Sequence, residues 1–141
     1  MPADEFGASL RGVGVNLLVV DISRSVRFAE QVFQSGVTYA DEDFAVLALS
    51  GAMVLLHADH AYSNHPLSAA VDGAEVRGMG AEIRLYECDP DEAERRAREH
   101  DYVVLAGAMD KPHGLRETYL LDPDGYCWVA SKPLIDSTRQ T

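Results

Sequence analysis

An internal repeat constrains this chain more than any other feature. Residues 12–20, GVGVNLLVV, are a short run of branched side chains opened by glycines, as a buried strand requires, and Asp21 ends it. A helix is predicted from Ser23, its N-cap, to about Gln34, with Val26, Ala29, Val32 and Phe33 as its buried stripe and Gly36 as its stop. Residues 37–40 read as a strand and Asp41-Glu42-Asp43 as a solvated turn. Residues 44–49 and 52–57 read as strands joined by a tight Ser50-Gly51 hairpin. The order then restarts. Residues 81–87 form a strand, and Asp89-Pro90 opens a helix with proline in its first turn. Residues 102–106 form a strand and 108–114 a loop. Residues 115–121 and 126–131 form strands joined by Asp122-Pro123-Asp124-Gly125, a turn in which proline presets one dihedral and glycine accepts a positive one.

Each half therefore reads strand, helix, three strands. One helix per half is too few for a doubly wound parallel sheet. The expected class is α+β: two βαβββ modules, residues 12–59 and 80–131, within one domain spanning 12–134, their curved sheets enclosing a shared cavity. Residues 60–79, rich in Asn, His, Pro, Ser and Gly, read as the connector, with a helical turn near 67–71. Residues 1–11 and 135–141 read as flexible ends.

Composition excludes several functions. Twelve Lys and Arg stand against 23 Asp and Glu, a formal charge of −11. That field repels nucleic acid and anionic membranes and attracts cations. The two cysteines, Cys88 and Cys127, form no CxxC pair, so a zinc ribbon or thioredoxin-type site is absent. No apolar run is long enough to span a bilayer. The opening MPADEFGASLRG lacks the basic and apolar regions of a signal peptide, so the expectation is a cytoplasmic protein with reduced thiols.

The motifs sharpen the reading. Val19-Val20-Asp21-Ile22 with Ser25 and Phe28, then Pro112-His113-Gly114-Leu115-Arg116-Glu117 leading into Leu121-Asp122-Pro123-Asp124-Gly125-Tyr126, resemble the vicinal oxygen chelate superfamily of glyoxalases, bleomycin-resistance proteins and extradiol dioxygenases. The second stretch is similar to the PWG, RE, DPDG ending of bleomycin-resistance-like members, with His113 where those proteins carry an aromatic platform. The resemblance implies a small-molecule cleft, completed by a homodimer. It also implies a metal-ligand position on each of four strands. These fall on Gly14, Leu55, Glu82 and Val129, of which only Glu82 carries a donor, so neither a metal nor another cofactor is expected. A separate cluster, His57-Ala58-Asp59-His60 with His65, offers imidazoles and a carboxylate, but reads better as a polar strand end entering a loop.

Alternation along the strands nominates the residues that face the cleft. Asn16 shares a face with Gly14, His57 with Leu55, Arg84 and Tyr86 with Glu82, and Cys127 with Val129. Asn16 is expected to be buried and therefore hydrogen-bonded. Trp128 and Tyr126 fall on the opposite face and belong to the core. The expected ligand-binding set is Asn16, Arg84, Tyr86, His113, Arg116 and Cys127, with Glu82 and His57 as candidate general bases. The first functional expectation is metal-independent sequestration of an aromatic or cationic compound. The alternative is a lyase, isomerase or glyoxalase-like enzyme, with Arg84 or Asn16 stabilising an oxyanion. A structural or regulatory protein with a vestigial pocket is the third.

Overall fold

The computed structural model describes residues 2–61 and 64–134. Its elements are α1 (Ala3–Ser9), β1 (Val15–Val19), α2 (Ile22–Phe33), β2 (Gly36–Ala40), β3 (Phe44–Leu49), β4 (Ala52–Ala58), α3 (Ser68–Val71), β5 (Glu82–Leu85), α4 (Pro90–Glu99), β6 (Val103–Asp110), β7 (Leu115–Leu121) and β8 (Cys127–Pro133). Two four-stranded mixed sheets result, in the orders β1-β4-β3-β2 and β5-β8-β7-β6. In each, the first strand runs parallel to the last and the other pairs are antiparallel. The repeat read from the sequence is thus a repeat of topology.

Local chemistry explains the elements. Asp21, rather than Ser23, caps α2: its carboxylate accepts the Arg24 N–H and the Ser23 hydroxyl. The buried stripe is Ile22, Ser25, Phe28, Ala29 and Val32, with Val26 and Phe33 partly covered. The helix ends at Gln34 in the left-handed conformation, before Gly36. Asp89 caps α4 through the Asp91 and Glu92 N–H groups, with Pro90 in the first turn. Ser50 and Gly51 both take positive φ, the geometry of a two-residue hairpin turn.

Three segments differ from expectation. Residues 3–9 are helical, because Phe6 finds an apolar partner in Phe44, ring centroids 6.2 Å apart. β6 continues to Asp110 through the stretch read as a loop; two bulges let it stay paired with β7 as far as Asp110 opposite Arg116. β1 and β5 are shorter than the apolar runs that announced them. Residues 135–141, expected to be a flexible end, lie outside the described residues.

One hydrophobic core serves both modules. Leu17, Val19, Ala45, Leu47, Val54 and Leu56 from the first sheet, Leu85, Leu120, Trp128 and Ala130 from the second, and the inner faces of α2 and α4 form a single cluster. Trp128 is buried against Phe28 and Phe33, and Phe28 also meets Tyr102 edge-on. Each sheet turns its other face away from this core.

The Asp122–Tyr126 turn is the clasp between the modules. The buried Asp124 carboxylate accepts the Val20 N–H, the Arg24 guanidinium and the Ser25 hydroxyl. Asp122 accepts the Asp124 and Tyr126 N–H groups and the Trp128 indole N–H, and its burial pushes its pKa up to about 6. The connector is stitched to the same turn: the Arg77 and Gly78 N–H groups donate to the carbonyls of Asp124 and Gly125. The buried Arg77 guanidinium grips Asp59 through two bonds of 2.8 and 2.7 Å and donates a third to the Leu18 carbonyl.

Candidate functional site

The faces turned away from the core carry most of the nominated residues. On the first sheet that face carries Leu18, Phe44, Val46, Leu55 and the nominated His57, with the nominated Asn16 at the strand entrance. The register sets Asn16 opposite Leu55 and Leu18 opposite His57. Asn16 is exposed, not buried, because β1 begins only one residue before it. His57 is half-buried, its ring 4.9 Å from that of Phe44. Burial, with the nearby His65, pulls the His57 pKa below its ordinary value, so the ring is neutral at pH 7. Helix α1 lies over this face and encloses a cavity of about 570 Å³, lined by Phe6, Leu10, Tyr39, Phe44, Leu55 and His57 among others.

The second sheet presents a charged network on an apolar ground. Glu82 stands opposite Cys127, Arg84 opposite Val129, Tyr119 also opposite Val129, and Glu117 opposite Ser131. Glu117 is 1% exposed. Its carboxylate accepts the Arg84 guanidinium and, at 2.6 Å, the Tyr119 hydroxyl, while His113 Nε2 lies 3.5 Å away. Burial alone would raise the Glu117 pKa, but Tyr119 and Arg84 outweigh it and hold the group below its ordinary range. The bond to Glu117 raises the Tyr119 pKa, so the phenol remains a donor. Arg84 also donates to Glu82 at 2.9 Å and sits 5.8 Å from the Tyr86 ring centroid.

Glu82, Arg84, Tyr86, His113 and Cys127 are therefore brought to one side of the second sheet, with Tyr86 58% exposed just past β5. The Cys127 thiol is half-buried, and burial pushes its pKa up, which disfavours the thiolate. Arg116 is placed apart from these residues. It alternates with Glu117, so it lies on the helix side, where it pairs with Asp91 of α4 at 2.9 Å and with Asp110. Glu117 and Tyr119 are absent from the nominated set; the alternation Glu117, Tyr119, Leu121, opposite Ser131, Val129 and Cys127, was the signal for both.

A family-type metal does not fit these residues. Asn16 faces Leu55, and Glu82 faces Cys127 rather than a second oxygen or imidazole donor. The His57–His65 cluster also disperses: Asp59 is taken by Arg77, His60 pairs with Asp43 at 2.9 Å, and His65 Nδ1 accepts the Leu67 N–H. Among the described residues no three His, Cys, Asp or Glu side chains converge to hold a metal ion. Among them, too, no helix is long and apolar enough to cross a membrane.

No protein-family model and no curated protein matches the sequence. Solved structures do match. A glyoxalase-related enzyme from Fulvimarina pelagi superposes with a TM-score of 0.71 at 18% identity, covering 87% of this chain and 88% of that one. A glyoxalase/bleomycin resistance protein/dioxygenase from Nocardioides gives 0.66 at 18% identity, over 98% and 94%. The fosfomycin resistance protein FosX from Listeria monocytogenes gives 0.66 at 14% identity, over 89% and 96%. Two βαβββ modules, parallel first and last strands in each, and a DPDG clasp between them give this chain the glyoxalase/bleomycin-resistance/dioxygenase fold.

Proposed function

We propose that the protein is a metal-independent small-molecule-binding protein, and that its ligand is held on the open faces of the sheets. The observation that carries this reading is the character of those faces: largely apolar, with a few fixed polar groups and, among the described residues, without a converging donor set. Arg84 divides its guanidinium between two carboxylates, which weakens it as an oxyanion partner. The enzymatic alternative draws its support from His57, whose neutral imidazole is in the form a general base needs.

His57→Gln and Glu82→Gln, made singly, separate the two: a base role at His57 predicts near-unchanged affinity with turnover down by roughly a hundredfold or more in His57→Gln. A thermal-shift screen of aromatic amines, aromatic antibiotics and 2-oxo compounds supplies the probe, and titration calorimetry with a product assay compares the variants. For a binding protein, the amide should weaken affinity by about tenfold or less, since one contact of about 1 kcal/mol is lost. A base role at Glu82 predicts near-unchanged affinity with turnover down by roughly a hundredfold or more.

A C2 homodimer belongs to the same proposal. Val103, Leu105 and Met109 of the edge strand β6, with Tyr86, are exposed apolar side chains of the second sheet, and an uncovered edge invites pairing. Light scattering at micromolar concentration should return twice the 15.4 kDa of one chain. A mass of one chain would remove the dimer from the proposal.

A further inference from the structure

The cavity beneath α1 has a chemistry of its own. Phe44 is the centre of an aromatic group: Phe6 meets it at 6.2 Å and 68°, Tyr39 at 6.1 Å and 40°, and His57 at 4.9 Å and 51°. Leu55 and Val46 of the sheet and Leu10 beyond α1 add apolar wall. Among the described residues, one carboxylate lies in the lining, that of Asp41, and no lysine or arginine does. Its position is built: one carboxylate oxygen accepts the Asp43 and Phe44 N–H groups at 2.8 and 2.9 Å, and the other accepts the Tyr39 hydroxyl.

These bonds hold the Asp41 pKa below its ordinary value, the Tyr39 hydroxyl contributing most. The pocket at neutral pH thus combines ring faces with one fixed anion. Ring faces attract cations through their quadrupole; Asp41 and Tyr39 stand at the exposed mouth of the cavity and Phe44 and His57 are half-buried deeper in it. About 570 Å³ suits a compound with one or two rings.

We propose that this cavity takes a small organic monocation, an aromatic amine or quaternary ammonium, with its charge between Asp41 and the rings of Tyr39 and Phe44, and with Phe6 of α1 as the closing wall. The proposal rests on the small-molecule-binding reading and adds a site and a charge class to it. Helix α1 suits the closing role: seven residues, none buried, and no side-chain cap, so that its place depends on Phe6 and on what fills the space beneath it.

The test uses the full-length protein and three probes of similar size: benzyltrimethylammonium, neutral benzyl alcohol and anionic benzoate. Calorimetry should show the cation binding at least tenfold more tightly than the alcohol, with benzoate weaker still. Amide chemical shifts should move at Phe6, Asp41, Phe44 and His57. Asp41→Asn, whose amide oxygen can keep the two backbone bonds, should cut the affinity for the cation by about tenfold and leave the alcohol unchanged. Phe6→Ala should weaken cation and alcohol together. Equal affinity for the three probes, or an unchanged preference in Asp41→Asn, overturns the charge class. Shifts confined to Glu117 and Tyr119 overturn this pocket while leaving the small-molecule reading intact. Failure of all three probes overturns the monocation site; failure of every compound in the thermal-shift screen overturns the wider reading as well.

Discussion

Replacing Arg84 with methionine is expected to destabilise the protein by about 3–5 kcal/mol in urea unfolding at pH 7, because it leaves a buried carboxylate without its cation. Glu117 is 1% exposed and cannot turn to water, whereas Glu82, the other partner of Arg84, is exposed and loses little. Two controls identify the cause. Adding Glu117→Leu to Arg84→Met should recover most of the loss, since a buried pair replaced by apolar groups is often nearly neutral. The deficit should also shrink in acid. In the intact protein the Glu117 pKa is held below its ordinary 4.5, so the pairing contributes stability that is present above that value and lost as pH falls through the lower folded pKa. Without Arg84 the carboxyl pKa rises, the folded state takes up the proton first, and the single variant recovers relative to the parent below about pH 5. A loss under 1 kcal/mol at pH 7 would mean that Tyr119 and His113 suffice for Glu117, and that Arg84 is held in place for a ligand.

Gly125→Ala is expected to be at least as damaging, for a different reason. Gly125 sits at φ 82°, and a Cβ there would lie 2.5 Å from the Glu75 carbonyl oxygen and 2.6 Å from the Val76 Cα. The left-handed conformation costs an L-residue about 1–2 kcal/mol, and the overlap with the connector's backbone should bring the total above about 3 kcal/mol. Gly51→Ala is the matched control: φ 79° with open space around the added methyl, so that only the conformational cost remains. The difference between the two melting shifts measures how tightly residues 75–78 are clasped to the turn. Equal shifts would show that the connector yields freely, and that the Arg77–Asp59 pair and the Gly78–Gly125 bond do not hold it.

The two variants fall on opposite sides of what could be read in advance. Gly125 is part of a four-residue turn whose type is set by local chemistry, and its need for glycine follows from the one-dimensional sequence. What the sequence could not show is that the connector's backbone lies against it; residues 75–78 and 125 meet only once both modules have folded. Likewise, the alternation of β8 separated Trp128 from Val129 correctly, since a strand's period is independent of its neighbours. Arg116 and Glu117 are adjacent in sequence and therefore on opposite faces, one against α4 and one at the heart of the charged network.

Periodicity, capping residues and turn chemistry act over a few residues, and they were enough to determine the two βαβββ modules, the hairpin at Ser50-Gly51, the helix start at Asp89-Pro90 and the core faces of β1, β4, β5 and β8. Contacts between distant segments belong to tertiary structure alone. Helix α1 forms because Phe6 meets Phe44, two residues with no local relation. Asn16 stays exposed because it lies at the entrance of β1, one residue inside the strand and opposite Leu55. Glu117 becomes a buried centre because three other side chains converge on it from β5, from β7 and from the loop before it. Each depends on the relative placement of whole elements, a three-dimensional quantity fixed by packing around the shared core and not by the order of residues along any one of them.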